Sequence, residues 1–174
     1  MKTALIVIDV QQAMFAFPDH PPHDGEAVVA RIAGLIARAR AADVPIFFVQ
    51  HDGGPDDPLH PGKPGFPFHA AVAPRDTDDV TVKTRCSAFQ GTDLDEKLRD
   101  AGIERVVICG MQTEYCVDTA VRAAFERGYT VVLAGDSHTT MDTGVMPAKQ
   151  IIAHHNATLR GAFADIRAAG EIEL

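Results

Sequence analysis

Apolar residues along this chain gather into short unbroken runs, and between the runs they recur every three or four positions. TALIVID (3–9) is apolar up to a closing acid, the pattern of a strand covered on both faces. After a polar, proline-rich stretch, Val28, Ile32, Leu35, Ile36 and Ala39 fall at helical spacing, which predicts a helix over roughly 25–42. VPIFFVQ (44–50) reads as a second strand and DVTVK (79–83) as a short third one. Asp93 and Glu96 stand at capping-box spacing before a short helix with Leu94, Leu98 and Ala101 on one face, closed by Gly102. ERVVICG (104–110) is a strand, and 114–127 a helix with Val117, Ala120, Val121 and Ala124 inward, stopped by Gly128. YTVVLAGD (129–136) is another strand. Pro147 can open a helix carrying Ile151, Ile152, His155 and Leu159, and AFADIRA (162–168) is a last short strand.

Strand and helix alternate throughout, with no internal repeat and no linker. The expected architecture is a single domain over 1–174: a three-layer α/β/α sandwich around a mostly parallel, Rossmann-like sheet of about six strands. Such a sheet binds its ligand at the carboxyl ends of its strands, where strand order reverses. Those ends carry Asp9, Lys83 and the turn leading to Cys116. The segment from His51 to about Asp78 has no period and is too long to be a plain connection, so it is expected to serve the site.

Composition narrows this further. A chain of 174 residues buries a sizeable core, and a formal charge of −8 argues against a nucleic-acid partner. The apolar run before Asp9 is too short for a secretory leader, and no run is long enough to span a membrane. Three cysteines without paired spacing argue against a disulfide framework, so a cytoplasmic setting is expected.

Cys116 has two readings: a small packed core residue, or a nucleophile near a helix N-terminus, where unsatisfied N–H groups favour a thiolate. In the second, Lys83 supplies a cation, Asp9 takes and returns the thiol proton, and the sulfur labels faster than Cys86 or Cys109. Each residue also has a plain structural role open to it.

LIVIDVQ, VKTRCSAFQGTDLDEKL and VVICGMQTEYCVDTAVRAAFERGYTVVLAGDS together resemble the isochorismatase-like cysteine hydrolases, collinearly over nearly the whole chain. The resemblance implies an Asp9–Lys83–Cys116 triad, an oxyanion hole from the N–H groups of Gln112 and Cys116, and a cis peptide at Met111–Gln112. It also implies a small-molecule amide substrate cleaved through a thioester, and a homo-oligomer, dimer or larger. Nicotinamidases in this family bind a metal through D-x-H and a second His six residues on. Here Val49 stands two before His51 and Asp57 six after it, so the likeness is to the metal-free, streptothricin hydrolase-like branch, with no cofactor. His60 and His69 share that loop; His69 is expected to position it over the pocket. Gln11, Phe15 and Phe17, with Phe66 and Phe68, are candidates to line a substrate pocket, the exposed aromatics being equally suited to meet a second subunit. Two other activities stay open: vinyl ether hydrolysis of the isochorismatase type with Asp9 as the acid, and metal-dependent nicotinamide hydrolysis. A non-catalytic binder on the same fold would have no need of the three groups.

Overall fold

The computed structural model describes residues 1–174. Six strands form one sheet: β1 (Thr3–Ile8), β2 (Ile46–His51), β3 (Asp79–Lys83), β4 (Arg105–Met111), β5 (Thr130–Thr139) and β6 (Asp165–Arg167). All neighbours pair in parallel, in the order β3-β2-β1-β4-β5-β6. The order reverses between β1 and β4, where a ligand crevice is expected.

Alternation along β1 explains the three layers. Leu5 and Val7 point to one face, where they pack with Val28, Ile32, Leu35 and Ile36 of α1 (Gly25–Ala41). Ala4, Ile6 and Ile8 point to the other. There they meet Leu94 and Leu98 of α2 (Leu94–Asp100), Ala120 and Val121 of α3 (Asp118–Glu126) and Leu159 of α4 (Ala148–Leu159). Both faces are dry, which is why β1 reads as an unbroken apolar run. No helix is long and apolar enough to cross a membrane.

Several boundaries differ from the sequence expectation, each for a physical reason. β5 runs on to Thr139 because Ser137, His138, Thr139 and Thr140 are buried polar residues, invisible to a hydrophobic pattern. The helix expected at 114–127 begins as a single π turn, Thr113–Val117, and becomes α-helical only at Asp118. Asp93 does not cap α2; its carboxylate lies 3.0 Å from Lys97 Nζ instead. The last strand is only three residues long. The crossover from β2 to β3 uses no α-helix. Its one short 3-10 turn, Ala70–Val72, places Val72 in the core beside α1.

Candidate active site

Asp9 directly follows β1 and has a φ of 50°, a left-handed conformation uncommon for any residue with a side chain. Its amide donates to the Val49 carbonyl at 2.9 Å and its own carbonyl accepts from Gln11 N at 2.9 Å. Aspartate tolerates this region better than most residues, and Asp24 and Asp43 share it. Lys83 closes β3, directly opposite His51 at the end of β2. Cys116 lies in the π turn after β4.

These strand ends converge on one ammonium. Lys83 Nζ stands 2.7 Å from Asp9 Oδ2 and 3.2 Å from Cys116 Sγ. It also stands 3.1 Å from the Arg85 carbonyl and 3.2 Å from His51 Nδ1. Neither Asp9 oxygen has an aligned hydrogen-bond donor, although Oδ2 touches the ammonium, so the pair is held mainly by charge. Cys116 is 8% exposed, the one member of the trio with a surface toward solvent.

Burial sets the protonation states. It raises the Asp9 carboxyl above the ordinary 3.8, more than the adjacent Lys83 charge lowers it. Burial works against the Lys83 charge too, but Asp9 and then Cys116 outweigh it and hold the ammonium above its ordinary 10.5. Burial, followed by the negative Asp9, pushes the Cys116 thiol far above its ordinary 9.0, with Lys83 offsetting only part. Burial and Asp9 thus oppose the thiolate expected from the sequence, and Lys83 is the neighbour that favours it. Cys86 is exposed and Cys109 buried, so accessibility favours Cys86 as the first thiol to label.

The turn ahead of Cys116 is built by close backbone packing. Gly110 has a φ of 126°, and a β-carbon there would collide with the Ile8 backbone. The β4–β5 pairing shifts register at this point. Met111–Gln112 is a cis peptide. The Gln112 amide donates to no backbone carbonyl, while its own carbonyl accepts from Tyr115 N at 3.3 Å and Val117 N at 3.1 Å, closing the π turn.

The residues expected to line the pocket divide. Gln11 is fully buried and its amide is occupied by main chain: it donates to the His51 and Phe66 carbonyls and accepts from His51 N. It is a clamp on the loop rather than a substrate contact, a correction that follows from its donors and acceptor already being used. Gln50 donates to the same Phe66 carbonyl at 2.8 Å. Phe15 and His69 stack at 4.9 Å, tilted by 59°, and the His69 side chain caps the turn at Ala71 N. Phe68 belongs to the core against Phe48, whereas Phe17 is 52% exposed. The loop histidines do not converge: His51 faces Lys83, and His60 Nδ1 pairs with Asp52 Oδ1 at 2.9 Å. No group of three or more His, Cys, Asp or Glu side chains comes together as a metal site.

Sequence reasoning missed the bracing behind the turn. Buried His138 joins Thr113 Oγ1 at 2.9 Å to Asn156 Oδ1 at 3.0 Å, tying the π turn to α4. Thr140 donates to Glu114 Oε1 at 2.9 Å. The available signal was the polar continuation SHTT after the apolar run of β5.

The model of the isochorismatase domain matches residues 3–164. The chain belongs to the isochorismatase family. This isochorismatase-family hydrolase is 37% identical over 144 residues to a streptothricin hydrolase of Streptomyces noursei, covering 83% of this chain but 57% of that longer protein. It is 33% identical to the ureidoacrylate amidohydrolase RutB of Methylobacterium radiotolerans, covering 78% of this chain and 67% of the relative. Among solved structures it is similar to a cysteine hydrolase from Pseudomonas syringae pv. phaseolicola, with a TM-score of 0.89 at 26% identity over 98% of this chain and 90% of that one.

Proposed function

We propose that this hydrolase cleaves a C–N amide bond of a small molecule through a thioester on Cys116. The observation that carries the reading is the buried Lys83 ammonium, in contact with both Asp9 at 2.7 Å and Cys116 at 3.2 Å. The Cys116 proton passes to Asp9 as the sulfur attacks the carbonyl carbon, and Lys83 stabilises the sulfur charge as it develops. The N–H groups of Gln112 and Cys116 receive the oxyanion. Protonated Asp9 then gives its proton to the leaving nitrogen, the C–N bond breaks, and an amine or ammonia departs. Water, deprotonated by Asp9, attacks the thioester; the C–S bond breaks, and the proton returns to sulfur as the acid leaves. A carboxyl raised by burial suits both duties, since it holds a proton more readily than an ordinary aspartate. Relatives named amidohydrolase and cysteine hydrolase support the same bond class and nucleophile.

The raised Asp9 also favours a second reading, protonation of a vinyl ether by Asp9 with the thiol dispensable. A panel of small amides and isochorismate, run on wild type and Cys116→Ala, decides between them. Amide turnover lost in the variant, with an acyl adduct on wild-type Cys116 by mass spectrometry, is the expected result. Isochorismate turnover that survives the substitution would overturn the covalent reading.

A further inference from the structure

Lys83 has three N–H protons and four neighbours that can accept one: Asp9 Oδ2, the Arg85 carbonyl, Cys116 Sγ and His51 Nδ1. An ammonium has no lone pair, so His51 Nδ1, 3.2 Å away, can only be an acceptor. An imidazolium would set two cations and two donors against each other there. Burial and then the Lys83 charge hold His51 below its ordinary 6.5, while Asp9, Asp57 and Asp52 pull weakly the other way. The ring is therefore neutral, and its single proton is on Nε2. Nδ1 faces the buried ammonium, so the exposed part of this half-buried ring is the Nε2 side. Gln11 pins the His51 backbone through both its N–H and its carbonyl, and the Lys83 contact orients the ring that projects from it. The result is a pre-oriented neutral donor, with no partner in the protein, one ammonium away from the reacting sulfur.

We propose that His51 is a specificity-determining residue whose Nε2–H donates to an oxygen on the acyl part of the substrate. The preferred substrates are amides with a hydroxyl, keto or ureido oxygen within a few bonds of the scissile carbonyl, over plain alkanoyl amides. A cationic acyl group is disfavoured, because the Nε2–H turns its positive end toward it. This rests on the amide reading above.

Two measurements test it. Nitrogen-15 NMR of the uniformly labelled protein, with His51→Asn to assign the ring, is expected to show a neutral Nε2–H tautomer at neutral pH. The Asn oxygen can still accept from Lys83, but its N–H groups stop short of the place of Nε2; His51→Gln carries its amide donors one bond further out. His51→Asn is expected to lose roughly tenfold to hundredfold more in kcat/KM on oxygen-bearing amides than on matched alkanoyl amides, with part of that difference restored in His51→Gln. An Nδ1–H tautomer, an imidazolium, or an equal loss on both panels overturns the assignment. Wild type that hydrolyses no amide at all overturns the amide reading, and this proposal with it, whatever the tautomer.

Discussion

β3 carries a lysine–aspartate pair at each end, and the two differ most in their surroundings. At its start Asp79 meets Lys97 at 2.9 Å, with side chains 34% and 28% exposed; at its end Lys83 meets Asp9 at 2.7 Å, with both fully buried. The first pair borders a surface cavity of about 610 Å³, shared with Arg40, Arg75 and Asp78, where solvent screens each charge. A contact of that kind contributes about 0–1 kcal/mol. The second lies wholly out of solvent, so each partner depends on the other and on Cys116. Nearly equal distances thus conceal different settings: one pair lies in solvent, and the other, under the proposed mechanism, holds charge beside the reacting sulfur.

The largest effects should come from removing the reactive end. Cys116→Ala is expected to lose at least about a thousandfold in amide turnover while its thermal unfolding stays near wild type, because only one sulfur is removed. Retained turnover in a correctly folded variant would break the contrast outright. Lys83→Met should abolish turnover and cost roughly 3–5 kcal/mol in denaturant unfolding, since it leaves Asp9 buried without its cation. Lys97→Met should cost about 1 kcal/mol or less. Adding Asp9→Asn to Lys83→Met should recover much of the stability and none of the activity. If the two lysine variants prove equally unstable, burial is not what separates the pairs.

A smaller effect sharpens the role of the dry environment. Turnover needs Asp9 ionised to accept the thiol proton, so activity should rise with pH through a midpoint above the ordinary 3.8. A pH–rate profile with its acid limb at or below that value would contradict the raised carboxyl. His138 gives a matching stability test. Burial holds it below its ordinary 6.5, so between the two values the unfolded chain binds a proton that the folded chain refuses. Stability is full above that ordinary value and falls as pH drops toward the folded one; His138→Gln should flatten this slope in denaturant melts. The smallest effect is on labelling: iodoacetamide should modify exposed Cys86 before Cys116, and peptide mapping that finds the reverse would mean a more open, more ionised sulfur.

The layers and the strand ends were legible because apolar periodicity reports directly on which faces are dry. Asp9, Lys83 and Cys116 could be picked out as chemistry at three predicted strand ends, and the structure brings them within one ammonium's reach. What the periodicity hid was polar and local. SHTT at the end of β5 looks like loop, yet His138 and Thr139 are buried because Thr113, Asn156 and the His23 carbonyl satisfy them. Gln11 looked like a substrate contact because its position was right; only the hydrogen-bond partners reveal that its amide is already taken. The surroundings of Cys116 were hidden for a similar reason, since a helix terminus can be read from sequence and the desolvation of a sulfur cannot.

The Phe66 carbonyl receives the side-chain amides of Gln11 and Gln50, and between His51 and that carbonyl lie fourteen residues that contribute no strand or helix to the domain. That arrangement makes the segment a replaceable cassette. Its two ends are riveted to the scaffold, so its middle can lengthen, shorten or change composition without moving the strand ends beneath. Homologues can therefore diverge in what they admit while inheriting the same chemistry, and a designer wishing to redirect this hydrolase would exchange residues 53–64 and leave both glutamines in place.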